Sequence, residues 1–275
     1  MMNSNYYKCK KIMNIMDKRG EKGQLAIFVI IALVIVFVIA VIFLFPRLKI
    51  ALSGGEFTPE KYLRSCIEPE IKPKMELLNK QGGYANPQGF LVLNETNGVE
   101  KIKYLCYTNE YYKTCTVQEA MIKTHYEQEL NNLMKEKIKD CATSLKTAYE
   151  GRGYSVSQGA IKSSIDIVSS KMNVKFDVPM SVSKNQESNK YNGFTVEIRT
   201  EMYNLLMLSQ TIVEFENIYG DSEITTFMAY YPHLKIEKIK LSEGSKVYIL
   251  SDIKTGESFR FASRSLSWPP GYRLQ

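Results

Sequence analysis

The chain has 275 residues, 44% of them hydrophobic, with 36 basic and 29 acidic side chains, a formal net charge of +7 and only two histidines. That apolar fraction excludes a disordered polymer, and two histidines leave little room for histidine-based metal or triad chemistry. Thirty of the basic and 27 of the acidic side chains lie beyond residue 45, so that part carries only about +3 and has no basic stripe. Nucleic-acid binding therefore has no electrostatic support.

The first predicted element is a membrane anchor. Leu25–Phe45 reads LAIFVIIALVIVFVIAVIFLF, 21 residues without a charge, a glycine or a proline. At about 1.5 Å per residue such a helix spans roughly 31 Å, the thickness of a bilayer's hydrocarbon. The spacing predicts a transmembrane helix over 24–46, ended by Pro46 and followed by a linker over 47–57. Lys8, Lys10, Lys11, Lys18, Arg19 and Lys22 precede the run, against Arg47 and Lys49 after it. The positive-inside rule puts the N-terminus in the cytoplasm and the rest outside, a single-pass arrangement with an extracytoplasmic C-terminal part. The leader, residues 1–23, ends in Lys22-Gly-Gln24 against the apolar run. This resembles the class III signal of archaeal pilins, which implies cleavage between Gly23 and Gln24 and retention of the helix as the anchor. The run lacks the acidic residue of bacterial pilins.

Four of the five cysteines, Cys66, Cys106, Cys115 and Cys141, follow the span, and Cys9 precedes it. An even number on the oxidising side fits two disulfides, with three possible pairings. The segment YLCYTNEYYKTC reads as two short strands about a turn and favours Cys106–Cys115; Cys66–Cys141 would then tie two helices. Zinc needs close thiol pairs such as C-x-x-C, which are absent.

Thr58-Pro59 starts a helix, an N-cap followed by proline at the first position. It carries Tyr62, Leu63, Cys66, Ile67, Met75, Leu77 and Leu78, should kink or divide at Pro69 and Pro73, and stops at Gly82-Gly83. Strands over 89–94 and 101–108 flank Asn97-Gly98, a hairpin signal. A long amphipathic helix over 117–150 follows, with Ile122, Tyr126, Leu130, Leu133, Ile138, Cys141, Leu145 and Ala148 inward. Met172 to Val182 alternate strictly with polar residues and predict one strand, with Pro179 marking an edge or bulge. Ile161–Val168 precedes it as its partner, and Phe194, Val196 and Ile198 form another strand after Asn192-Gly193. A helix near 202–219 should bury Leu205, Leu208, Ile212 and Phe215. Strands near 224–230, 234–241, 246–253 and 257–264 complete the chain before a proline-fixed tail, SWPPGYRLQ. The class is α+β, an antiparallel sheet with packed helices. A boundary at Gly151 separates a helical and hairpin subdomain with the disulfides, 58–150, from a sheet-plus-helix subdomain, 151–275.

Catalytic signals are few. His125 lies beside the apolar stripe of the long helix and His233 follows Pro232 at a strand start; neither has a G-x-S-x-G nearby. There is no H-E-x-x-H, Walker loop or G-x-G-x-x-G. No catalytic residue, metal ligand or cofactor is predicted. A glycosidase-like carboxylate pair is the remaining enzymatic alternative, an envelope hydrolase acting on glycan or peptide. Tyr104, Tyr107, Tyr111 and Tyr112 gather about the Cys106–Cys115 loop as candidate binding residues, against the plainer reading of strand propensity. Asn94-Glu-Thr96 is the sole N-x-[ST] sequon, a glycosylation site where the host modifies such sequons.

Together, the Lys-Gly-Gln start, LRSCIEP (63–69), KQGGY (80–84), IKYLCY (102–107), IKDC (138–141), RGYSV (152–156) and FRFASRSLSWPPGY (259–272) resemble a family of uncharacterised membrane-anchored surface proteins of small-genome archaea. The resemblance runs over most of the chain. It implies a cell-surface location, with Gly82, Gly83, Arg264 and Pro269 as markers of the fold. The expected role is non-enzymatic, in surface structure, adhesion or pilus-like assembly. The expected partners are the lipid bilayer and other surface proteins or further copies of the chain.

Overall fold

The computed structural model describes residues 30–37, 57–95 and 98–266, the side chains of residues 94 and 95 aside. The chain divides into one unit ending at Glu56 and a second beginning at Phe57. In the first, residues 30–37 are α-helical, and every one of the eight is exposed. The large side chains among them keep between 49% and 69% of their surface, Ile31 the least and Phe37 the most. The remainder of the expected span, the leader with Gly23 and Gln24, and the linker to Glu56 lie outside the described residues. Among the described residues no helix is long and apolar enough to cross a membrane.

The second unit begins with α1, Pro59–Lys80. Leu63, Ile67, Ile71, Met75 and Leu78 recur on one face and are buried. Pro69 and Pro73, expected to kink or divide this helix, sit inside a continuous one. Both are exposed and one turn apart. The two carbonyls that lose their amide partners, on Ser65 and Pro69, thus lie on the solvent side, where water can serve them. Beyond Lys80 the chain reverses through Gly82 (φ 68°) and Gly83 (φ 88°). A Cβ on Gly82 would come within 2.8 Å of the Lys103 Cβ, so only glycine fits here.

The hairpin β1 (Phe90–Glu95) and β2 (Gly98–Tyr107) pairs antiparallel, with Glu95 opposite Gly98. A two-residue strand, β3 (Thr116–Val117), then returns along β2. This return delays α2 to Ile122–Glu150, five residues later than expected. Met134 and Tyr149 are buried where Leu133 and Ala148 were expected, a rotation of one position. Cys66 and Cys141 join α1 to α2.

Two three-stranded sheets follow. One runs β5-β6-β9 (Lys162–Val168, Lys171–Asp177, Phe194–Arg199), the other β4-β7-β8 (Ser155–Gln158, Met180–Lys184, Glu187–Tyr191). The single strand expected from Met172 to Val182 is therefore β6 and β7, in different sheets. Proline, having no N–H to donate, marks the break at Pro179. Burial nonetheless alternates without a slip through Met172, Val174, Phe176, Val178, Met180 and Val182.

After α3, Met202–Tyr219, the segment Ile224–Tyr230 is a helix, α4, and not the expected strand. The Glu223 carboxylate accepts from the Thr225 amide at 3.0 Å and the Thr225 hydroxyl at 2.7 Å, an N-cap that overrides the β-propensity of Ile-Thr-Thr-Phe. Strands β10 (Leu234–Lys240), β11 (Ser245–Asp252) and β12 (Ser258–Arg264) complete the largest sheet, ordered β1-β2-β12-β11-β10 with β3 on β2. The pairing of β2 with β12 is parallel, which makes this sheet mixed. It joins the two ends of the unit, so the boundary expected at Gly151 falls within one body.

The six-stranded sheet has two unlike faces. Leu105, Tyr248, Leu250, Phe259 and Phe261 enter the main core with the helices. Ile102, Val247 and Ala262 form a separate cluster, bordered by Leu91, Leu93, Tyr104 and Ile249, on the opposite face.

A tyrosine loop on a buried charge centre

The Cys106–Cys115 disulfide closes the loop that links β2 to β3. Hydrogen bonds pin the loop at several points. The Thr108 amide donates to the Arg264 carbonyl (2.9 Å), the Tyr112 amide to Leu266 (2.8 Å), and the Leu266 amide to Lys113 (3.1 Å). The Glu110 amide donates to the Thr108 hydroxyl at 3.1 Å. Tyr112 takes a left-handed conformation, φ 60°, which costs a non-glycine residue about 1–2 kcal/mol. The four candidate tyrosines are not equivalent. Tyr111 and Tyr112 are 62% and 74% exposed, and Tyr107 less so. Tyr104 is half-buried, its phenol bonded to the Ser245 hydroxyl at 2.8 Å and its ring 5.0 Å from that of Tyr107. Two tyrosines thus stand in solvent on a rigid loop while Tyr104 supports them from the sheet.

Beneath the loop lies a centre that the sequence reading missed. Phe215, expected in the core, is 40% exposed, and its neighbour Glu216 is 0% exposed. The Lys246 ammonium donates to both Glu216 carboxylate oxygens at 2.8 Å, to the Gly220 carbonyl at 2.7 Å and to Asp221 at 3.1 Å. The Tyr248 hydroxyl donates to Glu216, and the Ser263 hydroxyl does so at 3.0 Å. Burial raises the Glu216 carboxyl above its ordinary range, and the Lys246 charge offsets this only in part. Burial acts in the same sense on Asp221, but there the Lys246 and Lys238 ammoniums win and hold its carboxyl well below the ordinary range. Tyr248 is pushed up by burial and then by Glu216.

Backbone contacts connect this centre to the loop. The Ser265 hydroxyl donates to the Glu216 carbonyl (3.2 Å) and accepts from the Cys115 amide (3.0 Å). The Asn217 side chain donates to the Cys115 carbonyl at 2.6 Å. In the structure 246, 248, 250 and 252 alternate inward along β11, which puts a lysine on an apolar face.

The remaining candidates do not converge here. The His125 ring lies 3.9 Å from that of Tyr84, and its Nδ1 is 3.6 Å from a Glu119 oxygen that also accepts from the Tyr84 hydroxyl. His233 lies beside Tyr231. Among the described residues no group of three or more histidine, cysteine, aspartate or glutamate side chains could hold a metal ion. Two pairs of acids among the described residues share a lysine: Glu216 and Asp221 meet on Lys246, with Glu216 fully buried, and Glu127 and Asp166 meet on Lys123 at 2.6 and 3.6 Å. Asn94 lies in β1 opposite Val99; its side chain and Thr96 are outside the described residues. No family model, curated protein or solved structure matches the chain.

Proposed function

We propose that this is a single-pass membrane protein whose second unit acts outside the cytoplasm as a non-enzymatic recognition module of the cell surface. The observation that carries the anchor is the helix at 30–37, apolar and exposed on every side, within 21 uncharged residues. A helix apolar all round is stable in lipid and unstable as a free surface in water. The two disulfides agree with an oxidising exterior. The disulfide-closed tyrosine loop supplies the recognition surface: exposed tyrosine offers contact area with a polar tip at small entropic cost, and a pinned loop is ordered before it binds. Cleavage between Gly23 and Gln24, and descent from the archaeal surface family or its pilus-like assemblies, belong to the same proposal and rest on resemblance.

Membrane fractionation combined with thiol labelling tests this. The chain should pellet with membranes and resist carbonate extraction. Cys66, half-buried where Cys106, Cys115 and Cys141 are buried, should react with an impermeant maleimide on intact cells only after reduction, and the other three once the reduced chain is also unfolded in urea. A chain released by carbonate, or thiols labelled only after lysis without reduction, overturns the reading. The mature N-terminal mass decides separately on Gly23-Gln24.

A further inference from the structure

The three sheets leave several edge strands, and a free edge offers unpaired backbone groups to another chain. Most of these edges are blunted. The Glu127 carboxylate accepts from the Ile167 amide on β5 at 2.6 Å, and the Met228 sulfur lies 3.4 Å from the Ile236 amide on β10. Charges stand on β8 (Glu187 and Lys190) and on β9 (Glu197 and Arg199). The strand β4 is only four residues long, and its Gln158 side chain donates to the Ala142 carbonyl of α2. None of these devices protects β1, whose residues Phe90 to Asn94 read FLVLN, without charge or proline. The Tyr104 amide donates to the Gly89 carbonyl at 3.2 Å, which makes these two a hydrogen-bonded pair in line with the ladder. Such pairs alternate along an antiparallel ladder. Leu91 and Leu93 therefore turn their backbone groups to β2, while Phe90, Val92 and Asn94 turn theirs outward. Among the described residues no backbone group pairs with the outward side of Phe90 and Val92. Val92 also keeps 51% of its surface, and Val99 on β2 keeps 66%.

We infer that β1 is a self-pairing edge: two copies of this chain join by antiparallel addition of β1 to β1 about a two-fold axis through Val92. The strand is complementary to its own copy. With Val92 opposite Val92, Phe90 falls opposite Asn94, and the outward N–H and C=O groups of all three meet outward groups of the second copy. Leu91 then faces Leu93 of the second copy on the outer face. There the apolar cluster of Ile102 and Val247 already runs out to Leu91 and Leu93 and stops at the edge. Apolar cross-strand pairs of this kind are what stabilise a sheet. On the other face Val92 meets Val92. Charge does not oppose the pairing. Glu95 falls opposite Gly89, and Lys101, which stands beside Val92 on β2, would be three strand spacings from its copy. That is about 14 Å, beyond the screening length of about 10 Å in ordinary salt. A six-residue edge makes a small interface, so the association is weak and depends on concentration. The edge borders residues 98–103 of β2, whereas the tyrosine loop leaves β2 after Tyr107, so the pairing stands apart from whatever that loop contacts.

Disulfide trapping in the full-length chain tests this, in a Cys9→Ser background and a host that leaves the Asn94 sequon unmodified. Hydrogen-bonded cross-strand partners have Cα atoms about 5.5 Å apart, within reach of a disulfide. Val92→Cys should therefore give a disulfide-linked dimer in membranes under mild oxidation, with peptide mapping placing the bond at residue 92. Val99→Cys is the more exposed site but lies at least about 14 Å from its copy, so it should crosslink several-fold more slowly. In detergent solution the Phe90 amide should exchange several-fold more slowly at high protein concentration than at low. Val92→Pro removes an outward N–H and no bond to β2, and should abolish that dependence. Val92→Lys sets like charges across the axis without altering the backbone, and should do the same. Crosslinking at residue 92 no faster than at residue 99 overturns the proposal. So does capture at residue 92 of a chain of different mass, which would assign the edge to a foreign strand. Phe90 exchange that is indifferent to concentration overturns it as well.

Discussion

The two disulfides sit in regions built on different forces. Cys66–Cys141 spans 75 residues and joins α1 to α2, whose facing rows are Leu63, Ile67, Ile71 and Leu78 against Leu130, Met134, Ile138 and Leu145. Packing there is non-directional: any aliphatic of the right volume serves, and damage scales with the volume lost. Cys106–Cys115 spans nine residues and rests on Glu216, Lys246, Tyr248, Ser263 and Ser265. Those contacts are directional, and removal of one member leaves another buried without a partner. The first region sets the body of the unit; the second sets the position of one loop.

The sharpest separation comes from cutting the long bridge. In the chain-entropy relation a 75-residue loop is worth about 4.5 kcal/mol, which at this size corresponds to a fall in Tm of roughly 10–15 °C. Cys66→Ser with Cys141→Ser should show that loss in calorimetry under non-reducing conditions. A change of a few degrees would mean that the helix rows hold α1 on α2 without the bond.

Next in size is the charge centre. Lys246→Met leaves Glu216 buried and unpaired and should cost about 3–5 kcal/mol; adding Glu216→Leu should recover most of it, since an apolar pair of similar volume replaces a costly ionic one. Additive losses in denaturant titrations would show that the two residues do not act together. The pH response divides by sign. Asp221, its carboxyl depressed, contributes stability that is present above its ordinary value of 3.8 and is lost as pH falls through the lower folded value. Glu216, its carboxyl raised, contributes stability that is full below 4.5 and is lost as pH rises through the higher folded value. Glu216→Gln should therefore remove the decline on the neutral side and leave the acid limb unchanged, as Tm measured against pH would reveal.

The contrast between the regions also explains what could be read in advance. The α1 and α2 rows repeat every three or four residues, so Leu63, Tyr126 and Ile138 announced themselves. Non-directional burial writes itself into periodicity. The Glu216 centre is assembled from residues on α3, β11 and β12, joined by hydrogen bonds between positions about 30 and 47 apart in sequence, and no local pattern records such pairs. Periodicity chose Phe215 over Glu216 because an unpaired glutamate does not belong in a core. Its partner, Lys246, could be recognised only once β11 was known to turn that position inward. The parallel pairing of β2 with β12 was hidden for the same reason: nothing between residues 107 and 258 announces which strand returns beside β2. At α4 a local signal was present and outvoted, because the Glu223 cap competed with a run of β-branched residues.

Opening the short bridge should cost less than opening the long one. Cys106→Ser with Cys115→Ser removes a nine-residue closure worth about 2.5 kcal/mol. Amide exchange should accelerate in residues 108–115 while α1 and α2 keep their protection. Uniform acceleration would contradict the division between body and loop.

The smallest effect is the most telling about purpose. Tyr112 holds a left-handed conformation with 74% of its surface in solvent. Glycine there would relieve about 1–2 kcal/mol of backbone strain, against roughly 0.4–1 kcal/mol of added freedom in the unfolded chain. Tyr112→Gly should therefore leave stability unchanged or raise it by up to about 1 kcal/mol, read as a small rise in Tm. A residue whose replacement improves the fold is not kept there by the fold; its ring and hydroxyl are held outward for something that contacts them. A loss above about 1 kcal/mol would instead show that the ring packs on its own chain, and the loop would then be part of the body and not a recognition surface.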